Sequence, residues 1–246
     1  MKGEYVLQIE GLSVSFDGFK AVDDLTLYFA KEGVHAVIGP NGAGKTTLLD
    51  LITGRTRPTQ GKVRFKGSEL TGLLEYQIVR RGIGRKFQTP SVYDSLTVFE
   101  NLEMAYPDRR SWFSAWRFRR TEKIVQRVEH VAELIYLKDR LHERAELLSH
   151  GEKQWLEIGA LLIQDPELLL LDEPVAGMSV RDREKTAELL SSLGKGRSVV
   201  VVEHDMEFVE RISDHVSVLH QGRLLAEGKM DEIQKNPKVV EVYLGH

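Results

Sequence analysis

Residues 34–53 read Val34-His35-Ala36-Val37-Ile38, then Gly39-Pro40-Asn41-Gly42-Ala43-Gly44-Lys45-Thr46, then Thr47-Leu48-Leu49-Asp50-Leu51-Ile52-Thr53. The short apolar run predicts a buried strand, and the spacing of apolar residues after Gly44 predicts a helix. Between them lies G-x-x-x-x-G-K-S/T with every fixed position filled. The motif needs a strand before it and a helix after it, and this sequence supplies both. Its glycines let backbone N–H groups face a polyphosphate, and the helix start adds a favourable dipole. Lys45 brings a positive charge to the β- and γ-phosphates, and Thr46 brings a hydroxyl for Mg²⁺. Gly39 to Thr46, together with Thr47, are the candidate nucleotide-binding residues of this loop. An ordinary glycine-rich turn is the competing reading, and the filled motif in its required context weighs against it.

Working outward, the next signal is Leu168-Leu169-Leu170-Leu171-Asp172-Glu173-Pro174. An all-apolar run suits a parallel strand covered on both faces. It ends in two carboxylates. Asp172 is the candidate Mg²⁺ partner, through water, and Glu173 the candidate for orienting an attacking water. A solvated, idle acidic pair is the alternative. Further strands are predicted over 6–16, 25–29, 63–66, 83–87, 199–202 and 216–219, alternating with helical patterns, which implies an α/β core. From about 90 to 164 the pattern is helical only. Val98, Leu102 and Ala105 share one face, and Ile124, Val128, Val131 and Ile135 share another. This predicts a helical subdomain inserted into a single domain spanning 1–246. Inside it, residues 107–120 (PDRRSWFSAWRFRR) hold five Arg and two of the three Trp. That segment reads as core-packing, as a partner interface, or, with less weight, as a lipid-facing stretch.

The 246 residues carry 34 Lys+Arg against 37 Asp+Glu, a net charge of −3, which argues against a dedicated nucleic-acid binder. Zero Cys excludes disulfides and thiolate metal sites. The remaining histidines, His35, His130, His142, His215, His220 and His246, show no metal-site spacing. The longest apolar runs are four residues, far short of the about 20 that a spanning helix needs. A soluble intracellular protein is expected, with any membrane association made through a partner.

With these residues in place the chain resembles the nucleotide-binding subunits of ABC transporters over nearly its whole length. Such a resemblance implies a P-loop ATPase fold: a RecA-like core, an antiparallel β subdomain and an inserted α-helical subdomain. It implies ATP and Mg²⁺ as ligands and ATP hydrolysis as the activity. Phe16, in LSVSF, falls where the family stacks an aromatic on adenine, with Phe19 as competitor. Gln88, in GRKFQ, corresponds to the family's glutamine that senses Mg²⁺ and the transmembrane partner. Ser149, His150, Gly151 and Glu152 occupy the signature, which acts in trans on the second chain's nucleotide. His204, 31 residues after Glu173, matches the switch histidine, so Glu173, His204 and Lys45 are the implied catalytic set. Thr46, Gln88 and Asp172 are the implied metal set. Ala176-Gly177-Met178-Ser179 matches the D-loop.

Two departures stand out: His150 and Glu152 replace Gly and Gln, and Ser179 replaces the family's Asp. Ser149-x-x-Glu152 is also a capping box, so Glu152 is expected to cap the helix or point away from phosphate. VFENLEMA, EHDM and NPKVVEVYLGH resemble the branched-chain amino acid class of importer ATPases. LSHGEKQWLEIGALL and DEPVAGMS resemble its urea-type branch. The resemblance therefore implies permease subunits, a second ABC ATPase chain and, indirectly, a periplasmic binding protein as partners. It also implies a cytoplasmic place, peripheral on the inner face of the plasma membrane. Urea or short-chain amides are the first reading of the cargo, and branched-chain amino acids the alternative. A soluble ABC ATPase acting on DNA or ribosomes is the rival class, disfavoured by the single cassette and the lack of a long heptad run. A non-hydrolysing regulator is the third, disfavoured by Glu173 and His204.

Overall fold

The structure, a computed structural model, describes residues 5–86, 92–107 and 120–244. In chain order the elements are β1 (Tyr5–Phe16), β2 (Phe19–Ala30), β3 (Gly33–Ile38), α1 (Lys45–Ile52), β4 (Gln60–Phe65), β5 (Ser68–Glu69), α2 (Glu75–Val79) and β6 (Ile83–Lys86). They continue with α3 (Val98–Met104), α4 (Glu122–Leu134), α5 (His150–Ile163), β7 (Leu168–Asp172), α6 (Val180–Gly194) and β8 (Ser198–Val202). The C-terminal part holds α7 (Met206–Ile212), β9 (His215–His220), β10 (Arg223–Gly228), α8 (Met230–Ile233) and α9 (Pro237–Leu244).

Six strands form one sheet in the order β10-β9-β3-β8-β7-β6. Here β3 runs parallel to β8 and β9, and β7 runs parallel to β8. Strands β7 and β8 are buried along their whole length, which is why they are written as unbroken Leu and Val runs. The register sets Val37 beside Val202, and Val202 beside Asp172. The three strands therefore end level, and whatever follows them meets at one edge of the sheet. This is the edge at which parallel α/β sheets bind ligands.

Four antiparallel strands, β2-β1-β4-β5, form a second sheet. Leu7, Ile9, Leu25 and Phe29 from it, Leu48 and Ile52 from α1, and Leu168, Leu170 and Val200 from the larger sheet share one core. A smaller core on Ala36, Ile38, Val216 and Val218 is closed by Met230, Ile233 and Val239 of the C-terminal helices. At about 25 cal/mol per Å² of buried apolar area, these clusters are the main stabilising term of the fold.

The structure corrects the strand list. β2 begins at Phe19, not near 25, and β5 and β10 were not anticipated. All three are ends of hairpins closed by two-residue turns, Asp17-Gly18, Lys66-Gly67 and Gln221-Gly222, with positive φ at both positions. That geometry is the type I′ turn, whose twist matches paired strands. These X-Gly pairs were the signal to read, because the flanking residues are too polar to declare strands by hydrophobicity.

Residues 86–166 with 175–189 form a second compact unit, separate from the unit that holds both sheets. Its described part contains α3, α4, α5 and the beginning of α6, plus one isolated bridge, Thr97 with Arg144. Val98, Leu102, Ile124, Val128, Val131 and Ile135 are all buried there. Thr97 caps α3 by accepting from the Glu100 amide, and Glu100 returns to the Thr97 amide at 2.8 Å. No helix among the described residues is long and apolar enough to cross a membrane. Phe87 and Gln88 lie outside the described residues, as do 108–119 of the Arg/Trp-rich segment. Its last residue, Arg120, is held by Glu103 at 2.7 Å and lies over the Phe99 ring.

Candidate functional site

The residues after β3, β7 and β8 are brought together by the level strand ends. The turn 39–44 leads from β3 into α1. Gly44 stands at the helix N-cap with φ 98°, and a Cβ there would lie 2.4 Å from the Ala21 carbonyl, so only glycine fits. As a glycine it also offers no side-chain cap, which leaves the first amides of α1 for an outside acceptor. Asn41, Gly42 and Thr46 are exposed, Pro40 and Thr47 are half-buried, and Gly39 and Ala43 are buried. Lys45 is buried, and its Nζ donates to the carbonyls of Gly39 at 2.7 Å and Pro40 at 3.1 Å. Burial lowers its pKa, opposed by the nearby carboxylates of Glu173, Asp172 and Glu203. One cation therefore sits in the field of three acids.

Asp172 closes β7, and its side chain is almost wholly buried. Burial raises its pKa, opposed by Arg85 and by a hydrogen bond from Thr46. Its Oδ1 is buried with no hydrogen-bond partner among the described residues. A buried carboxylate oxygen left without a donor, beside a threonine hydroxyl and an ammonium, suits a hydrated divalent cation. Among the described residues no group of three or more His, Asp or Glu side chains gathers as an all-protein metal site. A cation held mainly by phosphate and water does not need one.

Glu173 follows with φ 46°, a left-handed conformation unusual for a residue with a side chain. Its amide donates to the Val202 carbonyl at 2.9 Å, which locks the turn to β8. Strain of this kind costs about 1–3 kcal/mol and collects at functional sites. The chain turns off the sheet here, and the Glu173 carboxylate reaches His204, Oε1 to Nδ1 at 3.4 Å. His204 is exposed, and its amide donates to the buried Glu203 carboxylate at 3.1 Å.

Two participants were not read from the sequence. Glu203 is an acid directly after the valine run of β8, 1% exposed. Arg85 is buried in β6 and bridges to Asp50 of α1 at 2.6 Å and to Thr53 at 3.0 Å, with Asp172 Oδ2 at 3.9 Å. The signal that finds them is a charged residue inside an apolar strand pattern, which demands a buried partner. Phe16 and Phe19 face each other across the β1–β2 hairpin end, and both are exposed, 48% and 65%. Both rings are therefore open to a flat ligand.

In the second unit, Ser149 caps α5, accepting from the Glu152 amide at 3.3 Å, and Glu152 accepts from the Ser149 amide at 2.8 Å. A Cβ on Gly151 would stand 2.9 Å from an Asp182 carboxylate oxygen, so glycine lets the two helix starts approach. His150 Nε2 lies 3.1 Å from the Ala176 carbonyl, to which its N–H can donate. Ser179 caps α6, its hydroxyl accepting from the Asp182 amide at 3.2 Å and donating to the Asp182 carboxylate at 2.8 Å. The residue that departs from the family's Asp is thus a helix cap in this chain.

The comparisons with known proteins agree with this fold. Residues 22–176 match the model of the ABC transporter family, and residues 223–246 match that of the branched-chain amino acid ATP-binding cassette transporter. The chain is 35% identical to the high-affinity branched-chain amino acid transport ATP-binding protein BraF of Pseudomonas aeruginosa, over 98% of each chain. It is 38% identical to the probable branched-chain amino acid transport ATP-binding protein LivG of Archaeoglobus fulgidus, over 98% of this chain and 95% of that one. Among solved structures, an ATP-binding cassette of an ABC transporter in its ADP conformation superposes with TM-score 0.86 at 31% identity, covering 98% and 99% of the two chains. A nucleotide-free cassette gives 0.84 at 29% identity, covering 98% and 100%. With the phosphate loop, the acid pair and the exposed histidine gathered at one sheet edge, the chain belongs to the ABC transporter family and is one of its ATP-binding, ATP-hydrolysing subunits.

Proposed function

We propose that this ATPase powers a membrane importer, and that the groups at the ends of β3, β7 and β8 perform the hydrolysis. The observation that carries the reading is the in-register ending of these three strands, which draws Lys45, Asp172, Glu173 and His204 together. In this reading the amides of residues 39–47 hold the polyphosphate and Lys45 leaves its loop carbonyls for the β- and γ-phosphate oxygens. Phe16 stacks on the adenine. Thr46 and Asp172 would hold the Mg²⁺, with Gln88 as the third contributor that the resemblance implies, and the ion would supply neutralisation of phosphate charge. Glu173 accepts a hydrogen bond from the attacking water, and His204 keeps Glu173 oriented. The signature segment Ser149, His150, Gly151 and Glu152 meets the γ-phosphate held by a second ATPase chain, with Ser149 and Gly151 gripping it and Glu152 kept in the helix cap. ATP then favours the closed pair because it touches both halves, and hydrolysis removes that preference. Permease subunits take up the motion, and a periplasmic binding protein delivers the cargo to them.

For the cargo, relatives named for branched-chain amino acid transport support that class over urea, the first reading of the sequence. Urea or another short-chain amide stays as the second reading, favoured by the stretches 148–162 and 172–179. Uptake of labelled leucine and of labelled urea into right-side-out proteoliposomes holding the assembled complex, with ATP enclosed and the binding protein outside, separates them. ATP-dependent leucine uptake is expected. Urea uptake without leucine uptake would transfer the assignment to the second reading, and uptake of neither would remove both.

A further inference from the structure

Glu152 poses an electrostatic problem. It is the third residue of α5, so its carboxylate lies within the turn whose amides would receive an anion. The capping box occupies the amides of Ser149 and Glu152. Those of His150 and Gly151 find no acceptor among the described residues. A mobile carboxylate at position 152 would repel the anion and compete for those amides.

Arg140 answers the problem. Its Nη1 donates to Glu152 Oε2 at 2.6 Å, the same oxygen that accepts from the Ser149 amide. Its Nε donates to Glu143 at 2.9 Å, and its Nη2 donates to Glu143 and to the Leu147 carbonyl. The guanidinium is thus fixed from its own side before it meets Glu152. The nearby cation Lys153 is engaged by Asp94 at 2.6 Å, and Arg144 by Glu146 at 3.4 Å. A further carboxylate, Asp182, stands beside Gly151 and adds negative charge near the turn. Burial alone would raise the Glu152 pKa, but Arg140 and the Ser149 groups hold it below its usual value, so the carboxylate stays ionised. The charge must therefore be managed by pairing, not by protonation.

We propose that Arg140 is a positioning residue for nucleotide binding: it pins Glu152 in the capping geometry and offsets its charge, which keeps the first turn of α5 open to the γ-phosphate of the second chain. The proposal rests on the reading that Ser149–Glu152 meets that phosphate in trans. It explains how a signature with Glu in place of Gln serves an anion.

The test is the KM for ATP of the assembled complex, measured at low and high salt. Arg140→Met exposes an uncompensated carboxylate to a polyphosphate, and a rise in KM of roughly tenfold is expected, with kcat changed much less. The rise should shrink at about 0.5 M salt. Adding Glu152→Gln removes the offending charge and should restore KM to within about threefold. An unchanged KM in Arg140→Met, or a defect that Glu152→Gln does not repair, overturns the proposal. If Arg140→Met does not fold, Glu152→Gln alone decides: a lower KM supports the proposal and a higher one refutes it. Ser149→Arg separates the underlying reading. If that variant leaves KM and turnover untouched, the trans role of the segment fails, whatever Arg140 does.

Discussion

Asp172 shows how a single residue carries both the cost and the use of the site. Burial pushes its pKa above the ordinary value of 3.8, against the pull of Arg85 and Thr46. A carboxyl whose folded pKa is raised binds more protons folded than unfolded, so keeping it ionised costs stability. That cost is absent below the ordinary value and fully present above the raised one. Asp172→Asn should therefore raise the Tm of the nucleotide-free chain at pH 7. The advantage should fade as the pH falls toward 4. The same variant should lose Mg²⁺-dependent ATP binding and turnover. Thermal unfolding across pH, with binding measured in parallel, checks both halves. The acid pair Asp172-Glu173 was visible in the sequence at the end of a Leu run, and it was the phosphate loop elsewhere in the chain, not the pair alone, that pointed to its proposed use. The left-handed turn at Glu173 and the acid at Glu203 were not legible there, because both depend on β8 lying beside β7, a contact between distant segments.

At the scale of elements, the run VFENLEMA was recognisable only as a likeness, yet the structure gives it a physical reason. Asn101 is buried in α3. Its amide nitrogen donates to the carbonyls of Tyr93 at 3.1 Å and Thr97 at 2.9 Å, and its oxygen accepts from the Tyr93 amide at 2.8 Å. The side chain thus holds the loop that enters the helix. Asn101→Leu strands those backbone groups, and a loss of about 2 kcal/mol is expected. It should appear as a lower urea midpoint with an unchanged slope. A midpoint equal to the parent's would mean that the loop finds its hydrogen bonds elsewhere. Strands β7 and β8 and helix α1 were legible for the opposite reason: their burial writes itself into uninterrupted local patterns. Strand β10 was not, since half-buried Arg223-Leu224-Leu225-Ala226-Glu227-Gly228 has too little contrast without the Gln221-Gly222 turn beside it.

At the scale of the whole molecule, the account holds that the three level strand ends form an ATP-hydrolysing centre and that ATP joins two chains until it is cleaved. Glu173 is where both claims meet. Gln at that position keeps the shape and the reach toward His204 but loses most of the basicity needed to draw water in line. Removing a positioned base slows turnover typically ~10²–10⁴-fold. It also removes a negative charge facing the phosphates, so ATP binding should hold or tighten. The most direct measurement is therefore ATP turnover by Glu173→Gln beside its population of dimer with Mg²⁺ and ATP, in size exclusion with and without the second ATPase chain. The account predicts turnover lowered by two orders of magnitude or more, together with an accumulating ATP-bound dimer. Turnover close to that of the parent chain would contradict it.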